Sequence, residues 1–455
     1  MHAGRRGSNM NRRQFLKGSL GAAGVAVAWA NVKADEGFPE LPEALPEDHR
    51  TATLESLREW QAQRFGMFVH WGPVSLRGTE IGWSRGREVP VDEYDALAED
   101  FNPEQFDADA WIRTAKEAGM KYFVITSKHH DGFCIWPSDY TDYDLTRTPY
   151  EGDILEELAE ACERHGIDLG FYYSILDWRH PDYPYGSPGG DTEKPHPDME
   201  AYVEFLHNQV RELIKRYNPR IMWFDGEWED AWTAKRGEEL YRMIKSLDPA
   251  ILVNNRVGAG RQADGYADET HGDFATPEQR IGRFNRDRAW ESCITLCQQW
   301  AWRPEDTMKS LEECLRTLIM TAGGDGNLLF NVGPMPDGRI EPRQVERLQE
   351  MGAWLDQYGH AIYGTRGGPV KPGETMASTC AEDRVHVFVF DGADDVVTVP
   401  DLGLPVTRVE MLTAGGVDIR ESDHRIEIRK SNEDTLPAIA EITVDGDATA
   451  ITLHP

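Results

Sequence analysis

Cysteine and basic charge are both scarce in this sequence. Its 455 residues include only six cysteines. These are too few for a disulfide scaffold. A single bridge remains possible, but the sequence does not say which two cysteines would form it. No two cysteines form a CxxC pair, so a zinc site is not expected. Lys and Arg number 48 against 79 Asp and Glu. A formal net charge of −31 excludes a nucleic-acid partner, because phosphate backbones demand clustered basic side chains.

No hydrophobic run is long enough to span a bilayer. The apolar stretch at residues 18–30 is too short and too rich in Gly and Ala. It follows Asn-Arg-Arg-Gln-Phe-Leu-Lys at residues 11–17, which resembles the twin-arginine export motif, and a small-residue cleavage site lies at 28–30. We expect residues 1–34 to be a signal peptide, with a disordered basic tail as the alternative. The mature protein would then be periplasmic or extracellular, exported as a folded chain and not membrane-spanning.

A short apolar run, a polar cluster and an amphipathic helix recur between residues 65 and 364. The apolar runs lack alternation, as expected of parallel strands buried on both faces, and lie at 65–69, 122–126, 169–174, 221–224, 251–253 and 328–332. Helices are predicted at 153–165 and at 199–217, and the first of them ends at Gly166. A third helix is predicted after a capping box of Ser310 with Glu313. This alternation predicts an α/β fold, a (β/α)8 barrel of TIM type. A doubly wound open sheet is the alternative, but no GxGxxG motif follows any strand.

The pattern changes after residue 365. Short strands separated by turns rich in Gly and Asp are predicted at 385–390, 396–399, 425–428 and 451–453, without helical patterns between them. They indicate a small antiparallel β-sandwich at the C-terminus. The predicted organisation is therefore a signal peptide at 1–34, a catalytic barrel at 35–365 and a β-sandwich at 366–455.

Polar side chains gather where the predicted barrel strands end, which is where barrel enzymes carry their chemistry. Three histidines, two tyrosines, an arginine and two carboxylates are among them: His70, His129, His130, Tyr172, Tyr173, Arg256, Asp131 and Asp225. The set has no basic fork for phosphates and no Ser in a GxSxG turn. Many directional hydrogen-bonding groups beside flat aromatic side chains suit a polyol such as a sugar.

Asp225 is the candidate nucleophile. It directly follows the apolar run at 221–224, and Gly226 lets the chain turn away and leave the carboxylate open. A retaining glycosidase needs an ionised carboxylate to attack the anomeric carbon, and a second carboxylic acid ~5 Å away to protonate the leaving oxygen. The alternative is structural, with Asp225 capping a helix or pairing with Arg256.

Because of these histidines, a metal-dependent hydrolase is another alternative, in which His70, His129, His130 and Asp131 would be the metal ligands. Adjacent side chains on an extended segment point apart, so His129 and His130 are a poor pair for one ion. No HxH pair ends the first strand either. The sequence therefore predicts neither a bound metal nor a cofactor.

Four strings in this order resemble the α-L-fucosidases of glycoside hydrolase family 29. They are Phe-Gly-Met-Phe-Val-His-Trp-Gly at 65–72, Lys-His-His-Asp-Gly-Phe at 128–133, Trp-Phe-Asp-Gly at 223–226 and Asn-Leu-Leu-Phe-Asn-Val-Gly-Pro at 327–334. The resemblance covers nearly all of the mature chain. It implies a retaining, exo-acting enzyme that removes terminal α-L-fucosyl residues from oligosaccharides or glycoconjugates, with Asp225 as nucleophile. The implied substrate-binding residues are His70, Trp83, His129, His130, Tyr172, Trp223, Arg256 and Trp300.

The position of the general acid/base varies across that family. Glu278, at the end of Gly-Asp-Phe-Ala-Thr-Pro-Glu, is similar to the loop residue that supplies it in many bacterial members. Glu291 is the alternative, and it could instead be structural and pair with Arg256.

The sequence also departs from the family pattern. Many relatives have Glu-Trp-Tyr where residues 82–84 read Gly-Trp-Ser. One polar contact is therefore either lost or taken over by Glu80 or Glu88. Two further functions stay open beside the metal-dependent hydrolase: a fucose-binding pseudoenzyme, and another barrel exo-glycosidase such as a galactosidase.

Overall fold

The computed structural model describes residues 46–188, 194–260, 265, 272–390, 396–420, 425–430 and 436–454. The predicted signal peptide at 1–34 lies outside these residues. Within the described part of the chain, every helix is too short or too polar to cross a membrane.

Seven parallel strands form the sheet of the predicted barrel. They are β1 (Phe65–Val69), β2 (Tyr122–Lys128), β3 (Asp168–Ser174), β4 (Ile221–Asp225), β5 (Leu252–Val253), β6 (Glu291–Thr295) and β7 (Asn327–Val332). Their order in the sheet is β5-β4-β3-β2-β1-β7-β6. Nearly every strand residue is buried, which explains why the sequence shows continuous apolar runs. The six predicted strands are confirmed, whereas the polar residues of β6 kept it out of the prediction.

A short extended segment connects the two edges of this sheet. Phe274 pairs with Asn254 just after β5, and Ala275 pairs with Trp290 just before β6, both in the parallel sense. Further along, Glu278 pairs with Cys293 of β6. Residues 274–278 therefore take the place of an eighth strand, and the TIM-like barrel has one irregular member.

Eight helices and five short 3-10 turns accompany the strands in the described residues. The helices are α1 (Glu47–Gln63), α2 (Val91–Asp100), α3 (Ala108–Glu117), α4 (Ile154–His165), α5 (Met199–Tyr217), α6 (Ala234–Leu247), α7 (Leu311–Gly323) and α8 (Pro342–Tyr358). The 3-10 turns lie at Pro73–Leu76, Leu145–Arg147, Asn255–Val257, Gly359–Ala361 and Ala448–Ala450. Two predicted signals are confirmed. Helix α4 ends at Gly166 in the left-handed conformation, with a φ of 69°, and the capping box of Ser310 and Glu313 begins α7.

The C-terminal strands form two antiparallel sheets. They are β8 (Arg366–Gly367), β9 (Met376–Ala381), β10 (Arg384–Val389), β11 (Val396–Val399), β12 (Val406–Met411), β13 (Gly415–Arg420), β14 (Arg425–Lys430) and β15 (Ala438–Val444). One sheet has the order β12-β15-β10-β9-β8 and the other β11-β14-β13. Val387 of the first and Ile428 of the second belong to one buried cluster, which makes the pair a β-sandwich as predicted. The exact domain limits at 34 and 365 stay predictions.

One predicted strand of the sandwich is wrong. Residues 451–453 form no strand, and only His454 makes a single bridge, to Val370. The partner segment begins with Pro369, which has no N–H to continue a ladder. Ile451 is nevertheless buried in the sandwich core, so its apolar side chain serves packing and not strand pairing.

All six cysteines lie among the described residues, and all are buried and free. Burial raises the pKa of each thiol, as it does for Cys134 and Cys162. A protonated, buried thiol is a weak nucleophile and behaves as a small apolar side chain. The cysteines therefore contribute to packing, and the bridge left open by the sequence is not formed.

Asp325 links the base of the barrel to the first strand of the sandwich. Its carboxylate accepts hydrogen bonds from Arg64 Nη2 at 2.6 Å, Arg366 Nη2 at 2.6 Å and the Gly367 N–H at 2.9 Å. Arg64 and Asp325 are each 1% exposed. Burial acts to raise the pKa of Asp325, but the two guanidinium groups outweigh it and lower the pKa.

We expect Asp325→Asn to lower the free energy of unfolding by about 3–5 kcal/mol, because it leaves the buried Arg64 guanidinium without a counter-charge. Urea unfolding measures the difference. The matched control is Asp337→Asn, which removes an ion pair with the half-exposed Arg339 and should cost less than about 1 kcal/mol. Equal effects of the two substitutions would contradict the role given to Asp325.

Candidate active site

One pocket lies at the carboxyl ends of the barrel strands. Its walls are Phe68, His70, Trp83, His129, His130, Tyr172, Trp223, Asp225, Trp228, Arg256, Glu278, Cys293 and Trp300. Every catalytic and substrate-binding residue implied by the family resemblance lies on this wall except Glu291. Strands β1 to β5 and the irregular segment 274–278 thus bring their polar ends to one place, as the barrel architecture requires.

Asp225 is the last residue of β4. Its Oδ1 accepts a hydrogen bond from Arg256 Nη1 at 2.6 Å, and its Oδ2 accepts one from the Tyr172 hydroxyl at 3.0 Å. Gly226 has a φ of 98°, and a Cβ there would lie 2.5 Å from the Leu176 side chain. Only glycine allows the chain to turn away at this point. The pairing with Arg256 proposed as a structural alternative is present, yet the carboxylate still faces the pocket.

Arg256 connects the two carboxylates of the pocket. Its Nη2 lies 2.9 Å from Glu278 Oε2, while its Nη1 holds Asp225. Its Nε donates to the Thr276 hydroxyl at 2.9 Å, and its guanidinium lies over the Trp223 ring, 4.6 Å from the centroid. The arginine is 1% exposed. The planar guanidinium contacts the indole on one face and donates hydrogen bonds from all three of its nitrogens. It therefore fixes the positions of the two carboxylates relative to each other.

His70 is a neutral hydrogen-bond acceptor toward the pocket. Its Nδ1 lies 2.7 Å from Asn331 Oδ1. The Asn331 amide nitrogen donates to the Trp300 carbonyl, so the amide oxygen must accept from the imidazole Nδ1–H. Burial lowers the pKa of His70 to about 3. The ring is therefore uncharged, and Nε2 carries its free lone pair.

His130 has the same tautomer. Its Nδ1 lies 2.6 Å from the Ser174 hydroxyl, which itself donates to the Leu176 carbonyl and must therefore accept from Nδ1–H. The Nε2 atom lies 3.6 Å from Asp225 Oδ2. Burial lowers the pKa of His130 to about 4, so the ring is uncharged beside the carboxylate.

His129 is stacked on Tyr172, with an interplanar angle of 7° and ring centroids 5.3 Å apart. Burial lowers its pKa well below the usual value. A Cβ at Gly82 would lie 2.6 Å from His129 Nδ1, at a φ of 64°. The Gly82 that departs from the family pattern therefore closely packs against a pocket histidine, and a larger residue would displace that ring.

The structure places neither Glu80 nor Glu88 on the pocket wall, so neither residue takes over that polar contact in the pocket. Glu80 accepts hydrogen bonds from the backbone N–H groups of Trp300 at 3.1 Å and Ala301 at 3.2 Å. It thus orients the Trp300 backbone, because a carboxylate there satisfies two otherwise unpaired donors. Glu88 is exposed.

Glu291, the first residue of β6, lies behind the pocket wall. Its carboxyl oxygens accept hydrogen bonds from the Tyr122 hydroxyl at 2.6 Å and from Trp223 Nε1 at 2.9 Å. The carboxyl group is fully buried, and burial raises its pKa to about 7. Its hydrogen-bond partners do not include Arg256. Glu291 instead anchors the indole on which the Arg256 guanidinium lies.

Sequence reasoning missed three pocket residues: Phe68, Trp228 and Cys293. The burial of β1 on both faces hides the alternation that would have identified Phe68. Cys293 lies in β6 and could be identified only if that segment had been recognised as a strand. Trp228 did carry a signal, because an aromatic residue three positions beyond the candidate nucleophile must lie near the same strand end.

The pocket histidines do not form a metal site. Within the described ranges, the only cluster of His, Cys, Asp or Glu with ligand atoms close enough to hold an ion is His360, His386 and Glu441, outside the pocket. Asp131 accepts a hydrogen bond from the Tyr94 hydroxyl at 2.6 Å and does not line the pocket. Hydrogen bonding and stacking, not metal ligation, therefore account for the arrangement of His70, His129 and His130.

A TIM-like barrel whose strand ends bring two linked carboxylates, neutral imidazoles and indole rings into one pocket defines a glycoside hydrolase. Residues 43–360 match the profile of the family described as Alpha-L-fucosidase. The chain belongs to this α-L-fucosidase family. Residues 9–29 match the twin-arginine translocation signal, so the protein carries an export signal, as predicted.

Relatives and solved structures agree with this assignment. The chain is 30% identical to an α-L-fucosidase of Branchiostoma floridae over 77% of its own length and 82% of that protein. It resembles the structure of α-L-fucosidase isoenzyme 1 from Paenibacillus thiaminolyticus with a TM-score of 0.77 and 32% identity, covering 87% of this chain and all of that one. A family 29 α-L-fucosidase from Bacteroides thetaiotaomicron, solved as a trapped covalent intermediate with 2-fluoro-fucosyl fluoride, gives a TM-score of 0.77 at 28% identity, over 86% of this chain and 96% of that one.

Glu291 should give the protein a measurable pH dependence. Its pKa is raised from 4.5 to about 7 on folding, so between these values the folded state keeps a proton that the unfolded chain has released. Stability is therefore lost as the pH rises through this window. Glu291→Gln mimics the neutral acid, since its amide can accept from Trp223 and donate to Tyr122.

We expect the free energy of unfolding of Glu291→Gln, relative to wild type, to rise by up to about 3 kcal/mol between pH 5 and pH 8 in urea titrations. Glu239→Gln, on the exposed face of α6, is the control and should show a constant difference. A difference for Glu291→Gln that does not change with pH would contradict the buried neutral acid.

Proposed function

We propose that the protein is a retaining, exo-acting α-L-fucosidase that releases terminal α-L-fucosyl residues from oligosaccharides or glycoconjugates through a covalent fucosyl–Asp225 intermediate. The observation that carries the proposal is the Asp225 carboxylate at the base of a pocket whose second carboxylate, Glu278, is held by the same arginine. Family membership and the trapped covalent intermediate of the Bacteroides relative support it.

In the first step, a carboxylate oxygen of Asp225 forms a bond to the anomeric carbon as the bond to the leaving oxygen breaks. Glu278, as the carboxylic acid, gives its proton to that oxygen. In the second step Glu278 takes a proton from water, and the water oxygen attacks the anomeric carbon. The ester breaks, Asp225 is regenerated, and fucose leaves with its configuration retained.

Arg256 and Tyr172 support this cycle from opposite sides of Asp225. The guanidinium and the hydroxyl each hold one carboxylate oxygen before attack. They hold the attacking oxygen in position in the first step, and in the second step they stabilise the negative charge that returns to Asp225 as the ester breaks. Arg256 also orients Glu278, so the nucleophile and the acid keep a fixed separation.

The remaining polar groups suit the hydroxyls of a sugar. His70 and His130 are uncharged, and Nε2 of each offers a lone pair to a hydroxyl hydrogen. His130 Nε2 and Asp225 Oδ2, 3.6 Å apart, are both acceptors and can share one substrate hydroxyl. Trp83 and Trp300 form aromatic walls, and Trp223 lies stacked against Tyr172 at 5.6 Å.

An apolar corner of the pocket favours a 6-deoxy sugar. Phe68 meets Trp300 edge-on, with ring centroids 5.9 Å apart. A methyl group fits such a surface, whereas a galactoside would bury an additional hydroxyl there without a partner. This corner favours fucose over galactose as the terminal residue.

Glu278 is the acid/base in this proposal, and Glu291 is a supporting residue. The Glu278 side chain is 37% exposed at the mouth of the pocket, where a leaving group and water can reach it. Glu291 is completely buried behind Trp223 and touches no space that a substrate can enter.

Replacing the nucleophile tests the mechanism directly. Asp225→Ala should lower fucose release from an aryl α-L-fucoside and from α1,2-, α1,3/4- and α1,6-fucosylated oligosaccharides by about 10⁴-fold or more, since no ester can form. Wild type treated with 2-fluoro-fucosyl fluoride should carry one fucosyl ester, located on Asp225 by peptide mass spectrometry. Wild type that binds fucose but releases none from any substrate would instead be a binding protein.

Replacing Glu278 distinguishes its role from that of Glu291. Glu278→Ala should lower kcat/KM by about 10²–10⁴-fold on oligosaccharides, whose leaving oxygen needs a proton, and much less on α-L-fucosyl fluoride. Azide should accelerate the variant on the fluoride and yield α-L-fucosyl azide. Glu291→Gln is the control and should show no such dependence on the leaving group; if it did so in place of Glu278→Ala, the two assignments would be reversed.

A further inference from the structure

Trp228 is an indole with no structural reason to be exposed. Among the described residues, three large hydrophobic side chains are exposed: Leu54 at 52%, Tyr140 at 47% and Trp228 at 46%. Of these, only Trp228 lines the pocket. Its exposed apolar area lies at the edge of a polar pocket, where a ligand that covered the ring would remove that area from water.

The orientation of Trp228 is defined by its neighbours. Its ring is nearly parallel to that of Trp83, at an angle of 18° with centroids 6.3 Å apart, and it meets His130 edge-on at 5.6 Å. Trp83 is itself held edge-on by the buried Trp178 at 5.1 Å and by His130 at 5.5 Å. The two indoles therefore form one aromatic wall anchored on a histidine of the site.

Exposure divides the pocket into a closed base and an open rim. Asp225, Arg256 and the three histidines are buried, Glu278 is half-buried like Trp83 and Trp300, and Trp228 is the exposed member of the wall. The fucosyl unit must occupy the base, next to Asp225. The leaving oxygen lies beside Glu278, so the group attached to that oxygen must leave across the rim that carries Trp228.

We propose that Trp228, supported by Trp83, is a stacking platform for the first sugar of the leaving group and selects fucosides whose aglycone is a pyranose. The inference rests on the proposed function and deepens it. A pyranose ring has an apolar face of C–H groups that matches an indole, and its equatorial hydroxyls remain in water. A small leaving group gains nothing from this contact.

The test compares kcat/KM for 2′-fucosyllactose, or for the best oligosaccharide of the linkage panel, with kcat/KM for α-L-fucosyl fluoride, which has no sugar aglycone. We expect Trp228→Ala to lower the ratio of the two values at least ten-fold. Trp228→Phe keeps a ring and should lower it less than three-fold. Tyr140→Ala, at an equally exposed aromatic residue outside the pocket, should leave the ratio unchanged.

A second readout does not depend on turnover of the oligosaccharide. Lactose should inhibit hydrolysis of the fluoride by occupying the platform, and its inhibition constant should rise at least ten-fold in Trp228→Ala and stay near the wild-type value in Trp228→Phe. If Trp228→Ala does not fold, the Trp228→Phe and Trp228→Gln variants replace it, and Gln should behave as Ala.

The outcomes separate the platform from the enzyme. Equal losses on both substrates, or an unchanged ratio, overturn the platform while leaving the fucosidase intact. A wild-type protein that releases fucose from neither substrate overturns the proposed function and the platform with it. A reduced ratio with weaker lactose inhibition, at an unchanged melting temperature, supports a specificity-determining role for Trp228.

Discussion

The fork of Arg256 is the interaction on which the site depends. One guanidinium binds Asp225 through Nη1 and Glu278 through Nη2, and its planar face rests on Trp223. A buried arginine is tolerated only where its charge and its N–H groups are matched, and here two carboxylates and Thr276 match them. The same contacts that make the buried cation acceptable also fix the distance between two carboxylates contributed by separate parts of the chain.

That arrangement is supported from behind by neutral groups. The Trp223 indole is held by Glu291, whose pKa burial raises to about 7, so that the carboxyl group is neutral in mildly acidic solution. A third carboxylate charge this close to Arg256 would compete with Asp225 and Glu278 for the guanidinium. The imidazoles are kept neutral by the same physical effect. Burial thus favours the uncharged forms of Glu291, His70 and His130, which surround the guanidinium and its two carboxylates.

The sequence predicts the barrel strands and most of the pocket because both follow from local patterns. Buried parallel strands leave apolar runs, and residues directly after those runs must converge, which brought His70, Asp225 and Arg256 together. Strand β6 and segment 274–278 escaped prediction, because their pairing is set by long-range contacts and not by their own residues. The role of Glu291 was ambiguous for the same reason: only tertiary structure shows that its carboxyl group lies behind Trp223. Residues 451–453 show the converse error: Ile451 packs into the sandwich core, but the segment forms no strand.

The free thiols bear on how the protein matures. Twin-arginine translocation carries chains that have already folded, and in the fold all six cysteines are buried and protonated. The exported chain therefore enters an oxidising compartment with its six thiols already buried among packed side chains, where disulfide-forming catalysts cannot contact them. Its native state is complete before export and owes nothing to the redox state on either side of the membrane.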